Sequence, residues 1–298
     1  MGHEVVRALV RAGVAVRVLD PGPPHPRWPA GVEHQRGSLL DPQLLSDAMQ
    51  DMDGVFHVAG VWDGSPGGDA RMRELNVGGT EAVLKHGLPT VLTSSSITCG
   101  FGPLSRPGSE DQASEDPRNP IRGTGALYRE TKLALEALAA KHGAWMVNPD
   151  YVIGPGDVGG VVTGPLLRAA RMPVIPSPAG GKCFVSGHDV GIGHVLAWKQ
   201  AQPGRRYLLG SENVPYAKIF QRIALLMGRR PRVIPIPRGL PGLLSKAPKI
   251  GARFGAIEQM MLPRYRSHKR AAAELGFTPQ PIESAIKQMI EETAPAGP

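Results

Sequence analysis

The sequence holds only two cysteines, Cys99 and Cys183, in 298 residues. That is too few for a disulfide framework or a cysteine-ligated metal, so no metal site is expected. No run of about 18 apolar residues occurs, which argues against a transmembrane helix and a membrane partner. The first apolar stretch is interrupted by Arg7 and Arg11 and does not read as a secretory signal, so a cytoplasmic protein is expected. Aromatic residues make up 5% of the chain, and no basic run is interleaved with them. The net charge of +8 therefore reads as a solvated basic surface, and no nucleic-acid partner is expected. What is plentiful is proline (30) and glycine (38), consistent either with short, stiff loops or with biased codon usage. At 41% hydrophobic, the chain can bury one large core or two smaller ones.

A further lack lies at the front. The chain opens "MGHEVVRALVRAGVAVRVLD". Val5, Val6, Leu9 and Val10 recur at helical spacing, and Gly13 stops the helix. Val14 to Leu19 then reads as a strand ending at Asp20. An α/β chain that binds a nucleotide normally begins with a strand and a glycine-rich turn, and neither precedes this helix.

The rest alternates. "VEHQRG" predicts a strand and Pro42 to Met49 a helix. "GVFHVAG" reads as a buried strand. Arg71 to Lys85 is helical, in two pieces around Gly78 and Gly79. "TVLTSSS" is the next strand. Gly125 to His142 is a long amphipathic helix with Leu127, Leu133, Leu135, Leu138 and Ala139 on or near its apolar side. "AWMVNPDYVIG" is one strand leading to a glycine-proline turn. Strands alternating with helices predict a doubly wound, parallel sheet covered on both faces. Beyond about residue 155 the pattern loosens into a smaller, mixed lobe around "FVSGHDVGIGHVLAW", "RRYLLG" and two further helices. The division expected is 1–155 and 156–298, with the second part interleaved into the first sheet.

In such folds ligands sit at the carboxyl ends of the strands. Asp20, the "HVAG" stretch, Ser94 to Ser96 and Asn148 to Gly156 all fall there. Each alone has a plain reading as a cap or turn. The sharpest feature is Tyr128 with Lys132, four residues apart on one face of the long helix. A phenol titrates near pH 10, and a neighbouring cation lowers that value. A tyrosine so tuned moves a proton at a carbonyl or hydroxyl. A surface pair is the plain alternative.

With the serine strand upstream, this pattern resembles the extended short-chain dehydrogenase/reductase superfamily over nearly the whole chain, most of all its dihydroflavonol-reductase-like group. "NVGGT" (Asn76 to Thr80), "LTSSSITCG", "YRETK", "NPDYVIGPGD", "FVSGHDVGIGHVLA" and "AAAELGFTPQPIESAI" follow in the family's order. The resemblance implies a Rossmann-like fold and a catalytic set of Ser95, Tyr128 and Lys132. Tyr128 would be the acid/base. Lys132 would hold the nicotinamide ribose and lower the tyrosine pKa, and Ser95 would bond the reacting oxygen, with Ser96 as the fallback. Cofactor contacts would come from Gly2, Asp20, Ala59, Gly60, Asn76, Tyr128, Lys132 and Pro149. Ser96 and Val152 would face the substrate. A carboxylate at Asp20 accepts from ribose hydroxyls and repels a 2′-phosphate, so NAD is expected over NADP; the plain alternative is a turn aspartate before Pro21. His57 is expected packed beside the cofactor, and Asp189 as a helix cap. A homodimer is a family-level expectation.

The implied activity is NAD-dependent oxidation or reduction of a carbonyl/alcohol pair on a small or nucleotide-linked molecule. A nucleotide-sugar epimerase with resident NAD is the second reading; a non-catalytic nucleotide sensor is a third, opposed by the retained Ser, Tyr and Lys. There are departures. Asn148 stands where the family has arginine, and Ser38 where it has an acid. The long acidic loop "RPGSEDQASEDPRNP" is expected over the substrate pocket or mobile. Gly2 falls on the third glycine of the family's turn, and the first strand is missing. Unpaired backbone groups cost about 1–3 kcal/mol each. The expectation is therefore a native start roughly ten residues upstream, or else a gap in the sheet or its closure.

Overall fold

The computed structural model describes residues 1–112, 114, 121, 123–157, 162–244 and 257–293. Part of the acidic loop, 113 and 115–120, lies outside the described residues, as does 122. Helix α1 (Gly2–Arg11) forms where the apolar spacing predicts it and buries Val5, Val6, Ala8 and Leu9. Strand β1 (Arg17–Asp20) begins three residues later than expected, because Val14 is left exposed and only Val16 onward meets a partner. β1 pairs in parallel with β2 (Glu33–Arg36), from Arg17 opposite Glu33 to Asp20 opposite Arg36. Helix α2 (Pro42–Met49) has the expected bounds. Asp41 caps it by accepting from the Gln43 and Leu44 amides, and Pro42 occupies a first-turn position that needs no donor.

After β3 (Val55–His57) the chain forms one helical rod rather than two pieces. It runs through α3 (Gly68–Arg73), a π-turn (Glu74–Gly78) and α4 (Gly79–Lys85). Then come β4 (Thr90–Thr93), α5 (Thr124–Lys141) and β5 (Trp145–Pro149). The stretch read as one strand breaks at Asp150. Its second half, β6 (Tyr151–Ile153), leaves for another ladder. That ladder is built on β8 (Gly181–Ser186), which follows α6 (Thr163–Ala170) and β7 (Val174–Ser177). Helix α7 (Gly187–Gln200) leads to β9 (Arg206–Leu209), which returns to pair with β5.

The strands β3-β4-β5-β9 make a parallel ladder with helices on both faces. Alternation along the strands divides its core. Val91, Val147, Tyr207 and Leu209 pack with Val190, Ala197 and Leu275 on the α7 side. Leu92 and Met146 pack with Leu84, Leu135 and Ala139 on the α4–α5 side. Another core gathers Phe184, Ile175, Ile219, Ile223 and Ile286 around β8 and the C-terminal helices. The sheet does not close at its front: β1–β2 stands as its own ladder, and β1 does not bond β3.

Helix α1 is held instead by α7, its main partner. The crossing is close. A Cβ built on Gly191 would lie 2.4 Å from the Glu4 carbonyl oxygen and 2.9 Å from its carbon. Gly191→Ala must push two helices apart and is expected to destabilise by about 1–3 kcal/mol. A urea-unfolding midpoint equal to that of the native chain would show that the crossing gives way without cost.

Candidate functional site

The π-turn is where the site begins. One extra residue in the helix turns Asn76 inward, and it is fully buried. Its Oδ1 accepts from the Val61 amide at 2.8 Å, and its Nδ2 donates to the Val61 carbonyl at 2.9 Å and to Thr131 Oγ1 at 3.2 Å. Asn76 thus splices the chain after β3 to helix α5. Ala59 and Gly60 sit exposed just before that splice. A Cβ on Gly60 would come 3.1 Å from Lys132 Nζ and 3.4 Å from Asn76 Oδ1, so a side chain there would crowd the amine.

Ser95, Tyr128 and Lys132 are brought together at the carboxyl end of β4. The Ser95 side chain lies near enough to the Tyr128 hydroxyl to favour its ionised form. Ser96 is buried beside it, so Ser95 is the serine that meets the tyrosine. Lys132, 3% exposed, donates to the Thr93 carbonyl at 3.1 Å and lies 5.7 Å from the Tyr128 ring centroid. Burial pulls its pKa down to about 8, against Glu136, which raises it.

One expectation is overturned. The Tyr128 pKa is raised, not lowered: loss of solvent outweighs the effect of Ser95, and the lysine spends its contact on Thr93.

Two histidines brace the site from opposite sides. His57 Nε2 lies 3.0 Å from Thr80 Oγ1, which itself donates to the Asn76 carbonyl at 2.7 Å, so the imidazole is the donor. His194 Nδ1 faces the Val190 carbonyl at 2.7 Å and must carry the proton there. Its Nε2 therefore accepts from Thr93 Oγ1 at 2.7 Å. Burial lowers both to about 4; Lys132 adds to the effect at His57. His57 is buried, and its lowered pKa leaves it neutral at pH 7.

The remaining predicted positions are spread along the strand ends. Pro149 is buried at the end of β5, and Val152 lies opposite Val185. Asp20 closes β1 and is exposed; its Oδ1 accepts from the Gly22 amide at 2.7 Å, which is the turn geometry of its plain reading. Gly2 opens α1 with open space at its Cβ position. The cap of α7 is Ser186 rather than Asp189: the Ser186 hydroxyl accepts from the Asp189 amide, and the Asp189 carboxylate, in the first turn, accepts from that hydroxyl.

Residue-type reasoning missed Glu136, Thr98 and Arg206. Glu136 is buried in the site helix and collects donors from four side chains. The signal was its spacing, eight residues past Tyr128 and four past Lys132.

No protein-family model matches the chain. Among curated proteins it is similar to a putative dihydroflavonol 4-reductase of Synechocystis sp., 27% identical across 97% of this chain and 90% of that one. A 2-alkyl-3-oxoalkanoate reductase of Stenotrophomonas maltophilia is 25% identical, covering 99% and 96%. Among solved structures, a nucleoside-diphosphate-sugar epimerase from Pseudomonas aeruginosa shares the fold with a TM-score of 0.75 at 22% identity, covering 98% of this chain and 93% of that one. The chain is thus similar over nearly its whole length to proteins named as reductases, and it shares its parallel-sheet fold with one named as a nucleoside-diphosphate-sugar epimerase.

Proposed function

We propose that the protein is an NAD-dependent oxidoreductase acting on the carbonyl/alcohol pair of a small or nucleotide-linked substrate. The observation that carries this reading is the contact of Ser95 with Tyr128 beside the buried Lys132. The residues fit a nicotinamide cofactor at one end. Gly60 leaves a side-chain-free approach to the Lys132 amine, which spends one of its three donors on Thr93 among the described residues. At the N-terminal end of α1 the His3 ring stacks on His25 at 4.4 Å and lies where a Cβ on Gly156 would be, so Gly156 makes room for that ring.

NAD, when bound, supplies or accepts the hydride. Tyr128 delivers the proton to the substrate oxygen in reduction and takes it in oxidation. Ser95 holds that oxygen by hydrogen bond. Lys132 holds the ribose and keeps a positive charge beside the phenol. Asp20 supports NAD over NADP, since its carboxylate disfavours a 2′-phosphate. Asn76 keeps the chain after β3 against α5, so that Gly60 and Lys132 stay in register.

The test is thermal unfolding with added NAD, NADP and UDP-glucose. Ligand at about 100 Kd stabilises by about 2.7 kcal/mol, which reads as a rise of several degrees. NAD is expected to raise the midpoint more than NADP, and Asp20→Ala to remove that difference. A larger rise with NADP would reverse the cofactor assignment, and no rise with either would sink the reading. Turnover of UDP-glucose with no added cofactor would favour the epimerase.

A further inference from the structure

Helix α5 carries Tyr128, Lys132 and Glu136 on one face, a turn apart. Glu136 is 6% exposed and ties four elements together. Its Oε1 accepts from Ser94 Oγ at 2.5 Å, Asn148 Nδ2 at 2.6 Å and Thr98 Oγ1 at 2.7 Å. Its Oε2 accepts from Arg206 Nη1 at 3.1 Å. Two of these donors also hold Ser95. Asn148 Nδ2 reaches the Ser95 carbonyl at 3.1 Å, and Thr98 Oγ1 lies 2.9 Å from the same oxygen, its single proton serving one acceptor at a time. Ser94 is the residue just before. The backbone on both sides of Ser95 is therefore tied to one carboxylate, and that carboxylate comes from the helix bearing Tyr128 and Lys132.

We infer that Glu136 is a positioning residue for the proposed chemistry, on which this inference rests: it sets Ser95 against Tyr128 and gives Lys132 its counter-charge. All four of its partners are donors, so only an ionised carboxylate satisfies them. An amide in its place turns an N–H toward one of them and breaks that arm. The charged and titratable groups around it are Lys132 on α5, Arg206 on β9 and the buried Cys99 after β4. Behind Arg206 lies buried Glu110, whose carbonyl accepts from that guanidinium. Lys132 in turn faces His57 and Tyr128. The arrangement also accounts for Asn148, where the resemblance has arginine: the guanidinium reaches Glu136 from β9 instead, and position 148 needs only an amide.

The test compares native protein, Glu136→Gln and Glu136→Asp in steady-state reduction with NADH and the aldehyde or ketone that the native protein reduces best. Glu136→Gln is expected to lower kcat by about tenfold or more and to move the alkaline limb of the pH profile, set by Lys132, about one pH unit toward acid. Glu136→Asp restores most of both. A folded Glu136→Gln with native kcat and an unmoved limb overturns the inference. So does a loss of kcat with no limb movement and no rescue, which marks a purely structural role. If Glu136→Gln does not fold, Ser94→Ala decides. It removes one donor and keeps the charge, so kcat should fall severalfold with the limb unmoved, and a native kcat overturns the inference. Tyr128→Phe is run alongside: full turnover there removes the proposed function itself, whereas its loss beside a native Glu136→Gln removes only the role of Glu136.

Discussion

Tyr128→Phe should reduce turnover by about 10²–10⁴-fold, the range for loss of a positioned acid/base, while leaving the fold intact. Phenylalanine keeps the ring that packs in α5 and removes only the hydroxyl that meets Ser95. The proposed binding of NAD through Lys132 should persist, so the NAD-induced rise in melting temperature is the control for a correctly built site. Direction matters as well. Burial raises the Tyr128 pKa, so at neutral pH the residue is a neutral phenol, ready to donate. Carbonyl reduction should then be flat in Tyr128 ionisation across neutral pH, and alcohol oxidation, which needs the phenolate, should climb with pH. The measurement is NADH formation and consumption from pH 6 to 10 for both proteins. Equal rates for the variant, or native oxidation that falls as pH rises from 6 toward 8, below the limb set by Lys132, would remove Tyr128 from the proton path. Lys132→Met should lower NAD affinity and turnover together, because the proposed ribose contact and the charge beside the phenol come from one amine.

How far the sequence disclosed this depended on whether the cause was local. Helix α2 was legible to the residue because Asp41 and Pro42 act on their own first turn. The Tyr128–Lys132 pair was legible because i,i+4 spacing fixes a shared face. The rod from α3 to α4 was misread, since Gly78 and Gly79 looked like a break. Gly79 is small for another reason: a Cβ there would lie 2.2 Å from Leu39 Cδ1. The helix continues through a π-turn that Asn76 needs to reach Val61, a contact fifteen residues away. The strand break at Asp150 was hidden for a similar reason. Asp150 bonds its amide to Leu209 and its carboxylate to the buried Arg266, and neither partner is near in sequence. In α5 the apolar stripe drew attention to Leu133 and Leu138, which are only partly buried. The deeply buried residues include Thr131, Lys132 and Glu136. Their burial is supported by polar partners from β4, β5 and β9, which hydropathy cannot register. The Tyr128 pKa was misjudged because its sign depends on desolvation, a property of the assembled site.

Acid should destabilise the protein well before its carboxylates titrate. His57 and His194 are buried and hydrogen-bonded in their neutral forms, with pKa values lowered to about 4. An unfolded histidine takes up its proton near pH 6.5. The folded values are depressed, so the stability these groups carry is present above about 6.5 and is lost as pH falls toward 4. By pH 5 the unfolded chain gains about 2 kcal/mol from each, or about 4 kcal/mol together. That is a large share of an ordinary margin of about 5–15 kcal/mol. The loss falls on the site in particular. Protonated His194 can no longer accept from Thr93, whose carbonyl holds Lys132, and protonated His57 places a second cation near that lysine. Denaturant midpoints at pH 7.5, 6.5, 5.5 and 5.0 should therefore drop steadily. His194→Asn, though less stable at pH 7.5, should show about half the drop. A midpoint that stays level from pH 7.5 to 5.0 would mean that these histidines are not locked neutral, and that neither burial nor the hydrogen bond from Thr93 to His194 sets their state.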